Sequence, residues 1–172
     1  MTRWGEPEAR ALSAAVDWLS ERPEIDRGRI GAFGLSFGGY VLLQAALSEP
    51  RLKALVLAST PEDLDAETRR ANSAWGLLSE LPALWVLHHY RGAVVERPPR
   101  AAMADLAPRA VFIIGGERDR LVPPCACREL FDAAREPKEL WIVPGAGHAG
   151  FAAVAGGEYG RRLAAFFSRA LP

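Results

Sequence analysis

Four short apolar runs alternate along this chain with stretches of helical periodicity, and that alternation limits the fold more than any other feature. "RIGAFG" (29–34), "LKALVLAST" (52–60), "AVFIIGG" (110–116) and "ELWIVPG" (139–145) are each bounded by turn residues and too short for buried helices, so they are expected as strands covered on both faces. Between and around them the period becomes helical. From Glu8 to Glu21, Leu12, Ala15, Val16 and Leu19 share one face while Arg10, Asp17 and Glu21 take others. After Ser36 a second helix carries Tyr40, Leu43, Ala46 and Leu47 on one stripe and stops before Pro50. A third is expected over roughly 123–135, and the last carries Tyr159, Leu163, Phe166 and Phe167 inward. Strand and helix in turn, with strands apolar throughout, predict an α/β fold: a three-layer parallel sheet of about four strands with helices on both faces.

One stretch breaks the rhythm. Residues 61–100, between the second and third strands, include the apolar cluster Trp75, Leu78, Leu81, Leu84, Trp85 and Leu87 and end in the Pro-rich "VERPPR". An insertion of this length in a compact domain either serves function or carries its own structure. It reads as one or two helices, forming a helical cap over the carboxyl ends of the strands or a purely structural helix pair.

At 172 residues the chain is expected to be a single domain, residues 1–172. Lys plus Arg and Asp plus Glu both number 21, so no electrostatic footprint for nucleic acid or an anionic membrane is present. Charges interrupt the N-terminal stretch every few residues, which excludes the apolar core of a signal peptide, and a cytoplasmic location is expected. Cys125 and Cys127, alone and two apart after a Pro-Pro step, make neither a disulfide framework nor a metal site and read as helix-start residues. With no phosphate loop, metal-ligand cluster or dinucleotide fingerprint, no cofactor is expected.

The chemistry centres on "GLSFG". Ser36 is flanked two residues away by Gly34 and Gly38, with Gly39 adding room, where a strand passes directly into a helix. Larger side chains at the flanking positions are expected to collide with the neighbouring strand or helix. This is the form of a nucleophile elbow: a tight, strained turn that lifts the serine oxygen above the sheet. The turn also puts the Phe37 amide at a helix N-terminus, facing any negative charge that develops on a substrate oxygen. A serine hydroxyl needs a base, and the base an orienting acid. His148 follows the fourth strand and Asp119 the third, and carboxyl ends of parallel strands share one edge. Ser36, Asp119 and His148 are therefore expected to converge. Glu117 is the alternative acid, with a poorer offset from its strand. His88 and His89 have no acidic residue beside them in sequence and read as ordinary surface or cap residues.

These segments carry a family resemblance. Through "DRGRIGAFGLSFGGY", "LKALVLAST", "GERDRLVP" and "PGAGHAG" the chain resembles the C-terminal part of an α/β-hydrolase, in the esterase, dienelactone hydrolase and prolyl oligopeptidase-like branch. The resemblance covers nearly everything outside the insertion. It implies a truncated α/β-hydrolase fold, Ser36 as nucleophile, His148 as general base, Asp119 as its orienting acid, Phe37 as one oxyanion amide, and an acyl-enzyme hydrolysed by water. Members of the family carry about four strands before the elbow, with the loop that supplies the second oxyanion amide. Here "TRWGEPE" already resembles the loop following the fourth of them, so the chain reads as starting in the middle of the fold.

The expected activity is hydrolysis of carboxylic esters, short-chain activated esters above all. It is expected to be slowed by the lost donor, whose removal typically costs about 10²–10³ in turnover. An acyltransferase or thioesterase would use the same residues, and a non-catalytic remnant acting by association is the rival from another class. The strand Arg29–Gly34 is expected to be left as an apolar sheet edge. The simplest cover is a homodimer in which two such edges meet antiparallel in a sheet of about eight strands; the alternative cover is the N-terminal arm Met1–Glu6 with Trp4.

Overall fold

The computed structural model describes residues 6–89 and 98–172. The N-terminal arm with Trp4 and residues 90–97 of the insertion lie outside them. In chain order the elements are α1 (Glu6–Ser20), β1 (Ile30–Leu35), α2 (Phe37–Ser48), β2 (Leu52–Ala58), α3 (Leu64–Ala71), α4 (Leu77–His89), α5 (Pro99–Ala102), β3 (Ala110–Gly116), α6 (Pro124–Ala133), β4 (Lys138–Val143), α7 (Phe151–Ala155) and α8 (Gly157–Ala170). Short 3₁₀ turns follow α3 and α5.

The four strands are parallel and lie in the order β1-β2-β3-β4. Their side chains alternate between two apolar faces, as the pleat requires. Leu55, Leu57, Val111 and Ile113 pack with Val16 of α1, Leu42 and Leu43 of α2, and Ala126 and Leu130 of α6. Val56, Phe112, Ile114 and Trp141 pack on the opposite face with Phe151 of α7 and Phe166 of α8. Three layers result, with the most buried positions on β2 and β3, the two central strands. α2 is apolar nearly all round because it is enclosed: Tyr40, Val41, Leu42, Leu43, Ala45 and Ala46 are all buried. Its stripe does not include Leu47, which is exposed.

The edge strand departs from the reading of β1 as a buried strand. Phe33 is 44% and Leu35 37% exposed. Burial of a strand depends on its place in the sheet. α8 reaches β1 at Gly31, where an added Cβ would meet the Phe167 ring at 2.6 Å, while Phe33 and Leu35 stay open.

The insertion also divides. Leu84 and Leu87 of α4 pack with Leu64 of α3 against Phe37, Tyr40 and Val41 in the first turns of α2. Trp75, Leu78, Leu81 and Trp85 remain exposed, Trp75 at 77% and Leu78 at 84%. Among the described residues no helix is long and apolar enough to cross a membrane.

Candidate active site

The site is built where the strands end. Register pairs Leu35 with Ala58, Ala58 with Ile114, and Gly116 with Val143, so the chain leaves β1, β3 and β4 along one edge. Ser36 turns there with φ 53° and ψ −123°, a conformation that costs a non-glycine residue on the order of 1–3 kcal/mol and persists only when its surroundings enforce it. The Ser36 amide donates to the Ala58 carbonyl at 2.8 Å, and the Ser36 carbonyl accepts from the Gly39 and Tyr40 amides. The half-buried serine thus sits at the start of α2.

Space around the turn assigns the glycines. A Cβ on Gly34 would meet the Gly38 carbonyl oxygen at 2.5 Å and the Gly39 Cα at 2.6 Å; one on Gly39 would run into the Thr60 hydroxyl. One on Gly38 would meet nothing within 4 Å. The expectation that Gly34 and Gly38 are the crowded pair is therefore corrected: the pair that must lack side chains is Gly34 and Gly39, because the turn folds Gly39 back toward β1 and the end of β2 while Gly38 faces outward.

Ser36, His148 and Asp119 come together on this edge. His148 Nε2 lies 3.0 Å from Ser36 Oγ, and His148 Nδ1 lies 2.8 Å from Asp119 Oδ2. The Asp119 side chain is enclosed while the imidazole is partly exposed. Asp119 Oδ1 accepts from the Leu121 and Val122 amides, both at 2.9 Å, and Oδ2 also accepts from Ser59 Oγ at 2.8 Å. With His148, four donors surround one carboxylate. An ionised carboxylate only accepts, so Nδ1 of His148 carries the proton and Nε2 is left to accept from the serine hydroxyl.

Glu117, the alternative acid, is placed elsewhere. Its Oε2 accepts from the Gly145 amide at 2.8 Å, bracing the loop that carries His148 without touching the imidazole. The two loops are packed closely: a Cβ on Gly116 would meet the Ala146 and Gly147 carbonyl oxygens at 2.6 Å, and the Arg118 amide donates to Ala146 at 2.8 Å. The Phe37 amide is the first N–H of α2, at the positive end of its dipole, and the Phe37 ring stacks on Tyr40 at 5.5 Å.

Several neighbours of the site were not apparent in the sequence. Ser59, fully buried with φ 40°, donates to Asp119. Arg70 of α3 makes a two-pronged pair with buried Glu62 and donates from Nε to the Leu121 carbonyl at 2.9 Å, so α3 grips the loop that follows Asp119. Glu67 of α3 has its carboxyl pushed above the ordinary range by burial; the charges of His148 and Arg70 oppose the shift, and those of Glu62 and Asp119 add to it. A polar residue at a strand end and a charged helix face are weak signals, and the partners are distant in sequence. His88, read as having no acidic partner, pairs with Asp65 of α3 at 3.0 Å; the two helices bring together residues that sequence separates. Cys125 is exposed and Cys127 buried in the first turns of α6, both free, and burial pushes the Cys127 thiol up to about 12. Among the described residues no group of His, Cys, Asp and Glu is arranged to hold a metal ion.

All of residues 1–172 match the sequence profile of the prolyl oligopeptidase family. The chain belongs to that family. This member is 36% identical over 152 residues to an uncharacterized protein of Mycobacterium tuberculosis, a match that takes in 84% of this chain and 48% of that protein. The chain thus spans about half the length of that relative. It is 43% identical over 70 residues to the bis(hydroxyethyl) terephthalate hydrolase of Streptomyces coelicolor, covering 37% of this chain and 22% of that enzyme. The esterase Pf2001 of Pyrococcus furiosus superposes with a TM-score of 0.79 at 25% identity, over 98% of this chain and 64% of the esterase. In this prolyl oligopeptidase family member, four parallel strands between two layers of helices represent the α/β-hydrolase fold.

Proposed function

We propose that this chain is a serine hydrolase of carboxylic esters, acting on short-chain acyl esters through an acyl-enzyme on Ser36. The observation that carries the reading is the continuous line from Ser36 Oγ through His148 to Asp119, with separations of 3.0 and 2.8 Å, on a strained turn at the end of β1. That a similar chain is an esterase and another a hydrolase of a terephthalate ester agrees with it.

In this reading Ser36 Oγ attacks the ester carbonyl carbon as its proton passes to His148 Nε2. The carbonyl oxygen, now carrying the negative charge, faces the Phe37 amide at the N-terminus of α2. The carbon–oxygen bond to the alcohol breaks as Nε2 returns the proton to the leaving oxygen. Water then repeats the sequence on the acyl-enzyme, giving up a proton to Nε2, and the acid departs as Ser36 recovers its hydrogen. Asp119 holds the imidazole in one tautomer and offsets its positive charge. Residues 61–100 act as a helical cap, with α3 against the acid loop through Arg70 and α4 against the start of α2. A homodimer joined along β1 and a cytoplasmic location belong to the same proposal; the open Phe33 and Leu35 support the first and the two free thiols agree with the second.

The test is hydrolysis of p-nitrophenyl acetate and butyrate by the wild type and by Ser36→Ala. Turnover should fall by about 10³ or more in the variant. Equal rates in the two proteins would mean that Ser36 is not the nucleophile of this chain by itself, the elbow being a structural turn or awaiting a partner chain.

A further inference from the structure

The residue that ties this site together lies at the end of β2, a strand that contributes neither the serine, the acid nor the histidine. β2 stands between β1, which leads to Ser36, and β3, which leads to Asp119. Three consecutive residues at its end each touch part of the site. The Ala58 carbonyl accepts the Ser36 amide at 2.8 Å. Ser59 Oγ donates to Asp119 Oδ2 at 2.8 Å. Thr60 fills the space beneath Gly39 that any larger residue there would need.

Ser59 occupies a costly position. Its φ of 40° belongs to the left-handed region, where glycine is at ease and a residue with a Cβ is not. It is also wholly buried. Its amide donates to the Ile114 carbonyl at 2.8 Å, a bond that glycine would make equally well. What the serine adds is its hydroxyl. That hydroxyl meets the same carboxylate oxygen that accepts from His148 Nδ1, whereas the other oxygen is held by the Leu121 and Val122 amides. Two amides fix one oxygen but leave the carboxylate free to tilt about it. The Ser59 hydroxyl removes that freedom and sets where Oδ2 stands relative to the imidazole. Backbone strain at a buried polar residue, retained where glycine would relieve it, is the pattern found where geometry serves chemistry.

We propose that Ser59 is a positioning residue for the reaction: through its hydrogen bond to Asp119 Oδ2 it holds the carboxylate, and hence the His148 ring, in line with Ser36. The inference rests on the serine hydrolase reading above. Ser59 is enclosed and out of reach of substrate, so its contribution belongs to the chemical step and not to binding.

The experiment compares Ser59→Ala, which keeps the strained backbone without the hydroxyl, with Ser59→Gly, which relieves the strain without the hydroxyl. Both are assayed beside wild type and Ser36→Ala with p-nitrophenyl butyrate, their melting temperatures are measured, and the far-downfield proton resonance of the Asp119–His148 hydrogen bond is recorded. A hydrogen bond to a charged group of this kind corresponds to roughly tenfold in rate or more. Both variants should lose about tenfold in kcat, with KM within about twofold of wild type, and should show the same displaced or broadened resonance. Ser59→Gly should melt above Ser59→Ala while being no faster. A wild-type kcat in either variant, or rates that rise and fall with melting temperature, overturns the proposal. If Ser36→Ala retains full turnover, the hydrolase reading fails on its own; the proton resonance still reports whether Ser59 governs the Asp119–His148 pair, and an unchanged resonance would overturn that as well.

Discussion

Arg70 holds Glu62 through both prongs of its guanidinium, at 2.8 and 2.9 Å, while its Nε donates to the Leu121 carbonyl two residues beyond Asp119. One side chain thus joins the start of the insertion, helix α3 and the acid loop. Glu62 is 5% exposed, and a carboxylate left there without its partner is costly. Arg70→Ala should therefore destabilise the protein by about 2 kcal/mol, a figure below that for a fully enclosed pair because the arginine is partly exposed. Urea unfolding measures it, and the double variant Arg70→Met/Glu62→Leu should recover most of the loss. If Arg70→Ala unfolds with the wild-type midpoint, the clamp contributes nothing to stability.

The elbow makes a second prediction by contrast between adjacent glycines. Gly39→Ala drives a methyl group into the Thr60 hydroxyl, whereas Gly38→Ala places one in open space. Overpacking of this kind costs about 1–3 kcal/mol, and here it also displaces Ser36, so Gly39→Ala should lose both stability and turnover. Gly38→Ala should be as stable as wild type or more so, by up to about 1 kcal/mol, because alanine suits the first turn of a helix better than glycine. Thermal melts of the two variants decide it; equal losses in both would mean that the packing beneath the turn is not what fixes it.

Much of this architecture was legible in the residues, and the parts that were not share a physical reason. "LKALVLAST" and "AVFIIGG" read as strands because both faces are covered, which removes the polar alternation of a half-exposed strand. Asp119 and His148 could be named from their places just past strand ends. By contrast, the apolar run of β1, although expected at the sheet edge, did not show that Phe33 and Leu35 stand exposed, because how far α8 extends over that face is set by packing and not by the strand's own residues. The choice between Gly38 and Gly39 depends on Thr60, a residue from another strand. Ser59 and the His88–Asp65 pair are contacts between segments remote in sequence, where a single polar residue leaves no periodic trace.

Glu67 gives the site a pH signature. Burial raises its carboxyl above the ordinary carboxylate range, with Glu62 and Asp119 adding to the shift and His148 and Arg70 opposing it. A carboxyl raised in the folded state favours folding while both states are protonated, below its unfolded value, and this advantage is lost as pH rises through the folded value. Above that point the buried charge is a net cost. Glu67→Gln removes the charge, so the variant should be more stable than wild type near pH 8, and the difference should shrink toward zero near pH 4. Guanidinium unfolding of both proteins at the two values tests the sign. A variant less stable than wild type at pH 8 would show that attraction to Arg70 outweighs burial.

The last prediction concerns the edge of the sheet. Among the described residues β1 pairs with β2 alone, its sequence "IGAFGL" carries no charge, and Phe33 and Leu35 are exposed. Natural edges of this kind are guarded by lysine, proline or a covering segment, because the free backbone groups template pairing with another strand. No such charge stands within β1, which favours a two-fold pairing with a second copy and a continuous sheet across the axis. The wild type should sediment at twice the mass of the chain, and Phe33→Lys, which sets a charge beside the edge without touching Ser36, should sediment as a single chain with an unchanged far-ultraviolet circular dichroism spectrum. A wild type that remains a single chain at high concentration removes the dimer from the account and leaves the edge to be covered by another segment.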